Sequence, residues 1–154
     1  MAHLESDSID RKARDKLAEL VRWLISGQIS NFKFEKETPN TDDPGVLAII
    51  HSLWCFYDDF KEHKLSGDKT LPETTKNELK RWIVFLYSDE KYLWPEISYP
   101  GVRPIEQNFV SKLFNGSEKE KKFMEAGDYS LWPFFDKEMY DRAMRNPKLL
   151  ASKK

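Results

Sequence analysis

An all-α fold follows from three features of the chain. Apolar residues recur at helical spacing over long stretches, helix-start and helix-stop residues bracket those stretches, and β-type alternation is confined to short segments. At 154 residues the chain is long enough to bury one self-sufficient core. The expectation is a single-domain helical bundle of roughly six to seven helices over 9–147. An extended proline-rich loop is expected near 90–104, with flexible ends at 1–8 and 148–154.

The first helix is expected to start near Asp7 or Ser8, whose side chains can accept from the free N–H groups of a first turn. Ile9, Ala13, Leu17, Leu20, Val21 and Leu24 then line one face, and Gly27 supplies the stop. Arg11, Lys12, Arg14 and Lys16 are assigned mostly to the opposite, solvated face. The next stretch, Ile29 to Glu37, reads two ways. Phe32 and Phe34 alternate like a strand, whereas Ser30 or Asn31 could cap a short helix.

Thr41-Asp42-Asp43-Pro44 is a strong helix start, with a capping carboxylate ahead of proline at the first helical position. The spacing predicts a central helix running from Asp43 to Leu65. Val46, Ile49, Ile50, Leu53, Trp54, Phe56, Tyr57 and Phe60 cover more of its circumference than the stripe of an ordinary surface helix. Ser66-Gly67-Asp68 then makes a turn.

Thr70 to Glu73 reads as a capping box opening a helix through Leu79 to Tyr87. Its end, Trp82 to Tyr87, is apolar all round and suits a buried helix end or a buried strand. Helix is favoured because nothing between Glu73 and Arg81 breaks it. Pro95, Pro100 and Pro104 mark the extended loop, with Tyr92, Trp94 and Tyr99 as aromatic anchors. Ile105, Phe109 and Leu113 mark a short helix. Ser117 with Glu120 caps another that ends at Gly127, and a last helix begins near Pro133 and uses Phe135, Met139, Tyr140 and Ala143. Leu-Trp-Pro occurs at Leu93 to Pro95 and again at Leu131 to Pro133, which reads as reused packing chemistry because the flanks differ.

Composition excludes several functions. The 25 basic and 26 acidic residues nearly cancel, so no positive field points to nucleic acid or to an anionic membrane. The longest apolar run, Trp82 to Tyr87, cannot span a bilayer. No basic-then-apolar leader opens the sequence, and the lone Cys55 can close no internal disulfide, so a cytoplasmic location is expected. Glycine-rich phosphate loops and a Gly-x-Ser-x-Gly elbow are absent. Cys55 lies between Trp54 and Phe56, where a thiol is packed and inert.

One constellation could carry chemistry. His51, Cys55, Asp58 and Glu62 fall along one line of the expected central helix, and Asp59 and His63 form a neighbouring pair. Histidine and carboxylates at such spacing build metal sites in helical bundles. A second helix must then supply ligands, yet no Glu-x-x-His motif exists elsewhere and His3 is the one remaining histidine. The line therefore reads as a solvated face, or as an ion-pair seam in which Asp58 or Asp59 meets Arg22 or Arg81. His51, Asp58, Asp59, Glu62 and His63 are the metal-ligand candidates under the alternative reading.

Aromatic residues make up 14% of the chain. Most must fill the core, but Trp94, Tyr99 and Trp132 lie beside prolines in loop-like contexts, where aromatics often anchor interfaces. With Arg103 they are the candidate partner contacts. The competing explanation is that these rings close the ends of the core.

Trp23 to Glu35, Asp42 to Gly45 and Trp54 to Leu65 together resemble a group of small bacterial helical proteins with no assigned activity. These share an Ile-Ser-Gly-x-Ile-x-Asn segment and a Trp-x-x-Tyr-Asp-Asp helix. The resemblance covers about the first 90 residues. It implies a bacterial cytoplasmic origin and carries no catalytic residue. The functional expectation is a non-enzymatic module that binds another protein, of immunity, inhibitor or adaptor type, without a cofactor. The alternative is a metal-dependent enzyme or metal-binding protein using the His51, Asp58 and Glu62 face. Self-association stays open.

Overall fold

The computed structural model describes residues 9–53, 61–95 and 118–145. Among them are six α-helices and no strand: α1 (Arg11–Ile25), α2 (Asn31–Glu37), α3 (Pro44–Leu53), α4 (Glu73–Tyr87), α5 (Glu118–Ala126) and α6 (Lys137–Arg145). Two 3₁₀ turns, Gly67–Lys69 and Tyr129–Leu131, lie between them. The all-α expectation holds. All six helices contribute to one hydrophobic core, in which α1 packs chiefly along α4, with α2 and α3 against α1 and α6 against α4.

Helix α1 starts later than Asp7 or Ser8, because Asp10 is the residue that caps it. The Asp10 carboxylate accepts the Ala13 N–H at 3.0 Å, while the Asp10 N–H is held by Asp43 at 2.9 Å. At the other end Gly27 adopts φ +75° and lets the Gln28 N–H return to the Trp23 carbonyl at 2.9 Å. Between these limits Leu17, Ala18, Leu20 and Val21 are fully buried. Arg14 corrects the sequence reading: it faces inward, not outward.

The 29–37 ambiguity resolves as helix. Ser30 caps α2 by accepting the Lys33 N–H at 3.2 Å, and Phe34 is the residue it buries in the core. Helix α3 begins at Pro44 as the sequence demands, with the Asp43 carboxylate accepting the Gly45 and Val46 N–H groups at 2.9 and 3.4 Å.

The expected Asp43 to Leu65 helix does not reach Leu65. Residues 61–65 are not helical. The reason is a non-local competitor, the buried side chain of Asn31. Its Oδ1 accepts the His63 N–H at 2.8 Å and its Nδ2 donates to the Lys61 carbonyl at 3.1 Å, while the Asn31 N–H reaches the His63 carbonyl at 3.1 Å. Those bonds satisfy the backbone of 61–63 outside a helix. Trp54, Phe56, Tyr57 and Phe60 lie outside the described residues.

Helix α4 does run to Tyr87, burying Leu79, Trp82, Ile83, Phe85, Leu86 and Tyr87. The capping box at Thr70 does not form. Thr70 instead closes the 3₁₀ turn, its N–H donating to the Gly67 carbonyl at 3.2 Å, and no side chain caps α4. The last helix begins at Lys137, not near Pro133, because the Asp136 carboxylate accepts the Met139 N–H at 2.9 Å. Phe134 and Phe135 precede it. Phe134 is fully buried, and the Phe135 carbonyl accepts the Asp128 N–H at 2.9 Å. The short helix expected at 105–113, the Ser117 cap and both chain ends lie outside the described residues.

The C-terminus of α4 is closed by two arginines from α1. Arg11 donates to the carbonyls of Leu86, Tyr87 and Ser88, and Arg14 to those of Ser88 and Glu90 at 3.1 and 2.8 Å. Cations at this end also complement the helix dipole. Arg14 and Asp43 form an ion pair at 2.8 Å, with side chains only 1% and 0% exposed. The Arg14 guanidinium further lies over the Phe85 ring, 4.7 Å from its centroid.

Removing one partner of such a pair strands a buried charge. Asp43→Asn should therefore lower unfolding free energy by about 3–5 kcal/mol in urea titrations monitored by circular dichroism. A Cβ on Gly45 would stand 2.8 Å from the Phe85 ring, so Gly45→Ala should cost about 1–3 kcal/mol by overpacking. Asp10 gives a pH prediction. Its pKa is lowered from 3.8, first by the Ala13 N–H and then by the Thr41 hydroxyl. A depressed folded pKa stabilises above the unfolded value, and that contribution fades as pH falls through the folded one. Asp10→Asn, which keeps a capping oxygen, should show a shallower loss of stability below pH 3.8 than the parent chain.

Candidate functional site

Of the polar line on the expected central helix, His51, Glu62 and the neighbouring His63 are described, and Glu62 and His63 are not on a helix. His51 is exposed in the last turn of α3. Glu62 and His63 lie past the helix in the segment held by Asn31. The Glu62 carboxylate accepts the Ser30 hydroxyl at 2.5 Å, so it braces the cap of α2. The His63 ring Nδ1 lies 3.3 Å from the Lys61 carbonyl. Cys55, Asp58 and Asp59 lie outside the described residues, so the Asp58 and Asp59 ion-pair reading does too. Among the described residues no three His, Cys, Asp or Glu side chains come together as a metal-binding group. Of the arginines named for that seam, Arg22 reaches the Tyr87 hydroxyl at 3.5 Å and Arg81 the Trp132 carbonyl at 2.8 Å.

Two of the aromatic candidates are core residues. Trp94 is 5% exposed and Trp132 is 6% exposed. The Trp94 ring packs on Phe123, Tyr129 and Phe135, with centroids 5.0, 6.0 and 5.3 Å away, and its Nε1 donates to the Phe134 carbonyl at 3.3 Å. Trp132 sets its ring at right angles to Trp82 and Tyr92 and donates from Nε1 to the Tyr92 hydroxyl at 3.2 Å. Both rings thus tie the segment after α4 to the C-terminal helices, as the competing explanation proposed. Tyr99 and Arg103 lie outside the described residues.

The most deeply buried ion pair among the described residues was missed in the sequence. Asp43 receives the Asp10 N–H, two N–H groups of α3 and the Arg14 guanidinium, and Arg14 spends its other donors on backbone carbonyls. The side chains of the pair are 1% and 0% exposed. Its chemistry is structural. A signal existed: Arg14 stands one turn from Ala18 and two from Val21, inside the apolar arc of α1.

At the surface, α1 and the link from α2 to α3 bound an open groove of about 570 Å³. Lys12, Asp15, Lys16 and Glu19 line it from α1, and Glu37, Pro39 and Asn40 from the other side. Lys16 and Glu37 bridge it at 3.5 Å. Mixed charge and an open outline make it a poor cage for a small substrate.

No protein-family model, curated protein or solved structure matches the chain. Among the described residues no helix is long and apolar enough to cross a membrane.

Trp94→Ala removes a ring with three aromatic neighbours and orphans the Phe134 carbonyl. It should cost about 3–5 kcal/mol in chemical denaturation and flatten the near-ultraviolet dichroism of the aromatic cluster. A fully folded variant with unchanged midpoint would show that the ring is not a core element.

Proposed function

We propose that the protein is a non-enzymatic module that binds another protein, of immunity, inhibitor or adaptor type, in the bacterial cytoplasm. One observation carries this reading. The most deeply buried ion pair among the described residues, Arg14 and Asp43, is consumed by the fold, while accessible charges line an open groove as a mixed-sign surface. Such a surface offers register and charge complementarity to a polypeptide, not a concentrated reactive centre. The resemblance of the Trp23 to Leu65 region to small bacterial helical proteins supports the cellular setting. Tyr99 and Arg103 stay candidate contacts on the strength of residue type and their proline-rich context. Trp94 and Trp132 do not, since their rings are used within the chain.

A charge swap tests the groove without dismantling it. Lys16→Glu with Glu37→Lys keeps an opposite-charge pair across the groove but inverts the local field. The parent chain, immobilised, should retain a specific protein from bacterial lysate, and the swapped chain should retain at least about tenfold less at unchanged thermal stability. Equal capture by both chains would remove the groove as the docking surface, and a metal-stimulated turnover of any substrate by the purified chain would sink the non-enzymatic reading.

A further inference from the structure

One wall of the groove along α1 is the non-helical link from α2 to α3, which contributes Pro39 and Asn40. The link is tied at both ends. The Thr38 hydroxyl donates to the Glu35 carbonyl at 2.9 Å, and Thr38 enters the link extended, with φ −57° and ψ 137°. At the far end the Thr41 hydroxyl donates to the Asp10 carboxylate at 2.7 Å and accepts the Asp43 N–H at 3.2 Å.

Between these ties the main chain is unused. Among the described residues, the N–H groups of Asn40, Thr41 and Asp42 donate no hydrogen bond. The carbonyls of Pro39, Asn40, Thr41 and Asp42 accept none. Water satisfies such groups in the free chain, so their openness stores no strain. It does leave donors and acceptors in sequence along a wall whose ends are already fixed. An extended segment from another chain can pair with such a run as an added strand, at little ordering cost to the host.

The opposite wall sets the charge of the occupant. Asp10, Asp15, Glu19 and Glu37 line the groove against Lys12 and Lys16. The acidic excess there is larger than that of the whole chain, whose net charge is −1. Arg11 meets Asp15 at 3.0 Å from outside the lining, but it also serves Asp89 at 2.9 Å and the Ser88 carbonyl at the end of α4. A cation entering the groove therefore gains more than an anion would.

We propose that the groove takes an extended, lysine- or arginine-bearing segment of the partner protein. The segment adds to the 39–42 main chain as a short strand and sets its cations against the acidic residues of α1. Both halves of the argument are needed to name a polypeptide. A polyamine would answer the charge, but it has no carbonyls to receive the open N–H groups. The inference deepens the protein-binding reading above and rests on it for the natural partner, whereas the groove itself can be tested with a synthetic peptide.

The test follows the backbone amides of the full nitrogen-15-labelled chain on adding a short peptide of alternating lysine and threonine. Separate arms use the same peptide with N-methyl groups at alternate amides, a glutamate–threonine peptide, and spermine. The lysine–threonine peptide should shift the amides of Asn40, Thr41 and Asp42 saturably and slow their hydrogen exchange at least about tenfold. The other three arms should leave that exchange unchanged. Asp15→Asn with Glu19→Gln should weaken the peptide about tenfold at an unchanged thermal midpoint. Unprotected amides at 40–42, equal protection by the N-methylated peptide, spermine or the glutamate peptide, or undiminished binding by the double variant would each overturn the site. A chain that protects 40–42 with the peptide yet retains no protein from lysate would refute the protein-binding reading and leave the strand-addition site standing. Capture of a protein that leaves the 40–42 amides unprotected in the complex would do the reverse.

Discussion

The buried pair of Arg14 and Asp43 is the constraint on which the other parts of the structure depend. Four segments meet at it: α1 through Arg14, the cap of α1 through the Asp10 N–H, the start of α3 through Asp43, and the end of α4 through the Ser88 and Glu90 carbonyls. Taking two charges out of water is costly, and a well-packed apolar pair could stabilise as much or more. What the ion pair adds is direction. A hydrocarbon contact tolerates sliding, but a guanidinium bonded to acceptors on three residues has one arrangement that satisfies all of them. Gly45 fits the same logic, since only a residue without a Cβ lets α3 approach the Phe85 ring and the Arg14 fork together.

From that node the order propagates along α4. Arg11 and Arg14 close its last carbonyls and turn the chain into 88–95, where Tyr92 meets Phe85 and Trp132, and Trp94 enters a nest of Phe123, Tyr129 and Phe135. Arg142 on α6 then grips Glu90 with two bonds at 2.5 and 2.9 Å. Glu90 is thus used twice, its carbonyl by Arg14 and its carboxylate by Arg142. This short, irregular segment, together with direct packing of Trp82 and Phe85 of α4 on Trp132 and Phe134, joins the N-terminal helices to the C-terminal aromatic cluster. Its lack of regular structure says nothing about its mobility, because both its backbone and its rings are occupied.

What was legible in the sequence was local. The apolar period of α1 and α4, the Asp43-Pro44 start of α3 and the stop at Gly27 all rest on interactions within a turn or two, and all are where the sequence places them. What was not legible was long-range. The Arg14 partner is 29 residues away, and the amide of Asn31 that holds 61–63 outside a helix acts across 30 to 32 residues. Periodicity cannot see either, so a charged residue in an apolar arc was assigned to solvent and a helix was extended through Glu62 and His63. Glu62 and His63 thereby leave the helical line that starts at His51. For Trp94 and Trp132 the sequence context leaves both an interface anchor and a core plug open, with the plug favoured, and their burial puts both rings in the core. Tyr99, Arg103, Asp58 and Asp59 lie outside the described residues and carry sequence arguments alone.

The two faces of α1 connect the fold to the proposed function. Its inner face carries Arg14, locked in position by the ion pair and the α4 carbonyls, and its outer face presents Lys12, Asp15, Lys16 and Glu19 to the groove. Turning or sliding α1 to suit a partner would drag Arg14 out of a set of bonds that nothing else in the core can replace. A partner seated in the groove would therefore meet a preformed surface, and adaptation at the interface would fall to side-chain rotamers and to the partner. Selectivity in such a module comes from matching a fixed pattern of charge, with wrong partners rejected by like charges they cannot rearrange away.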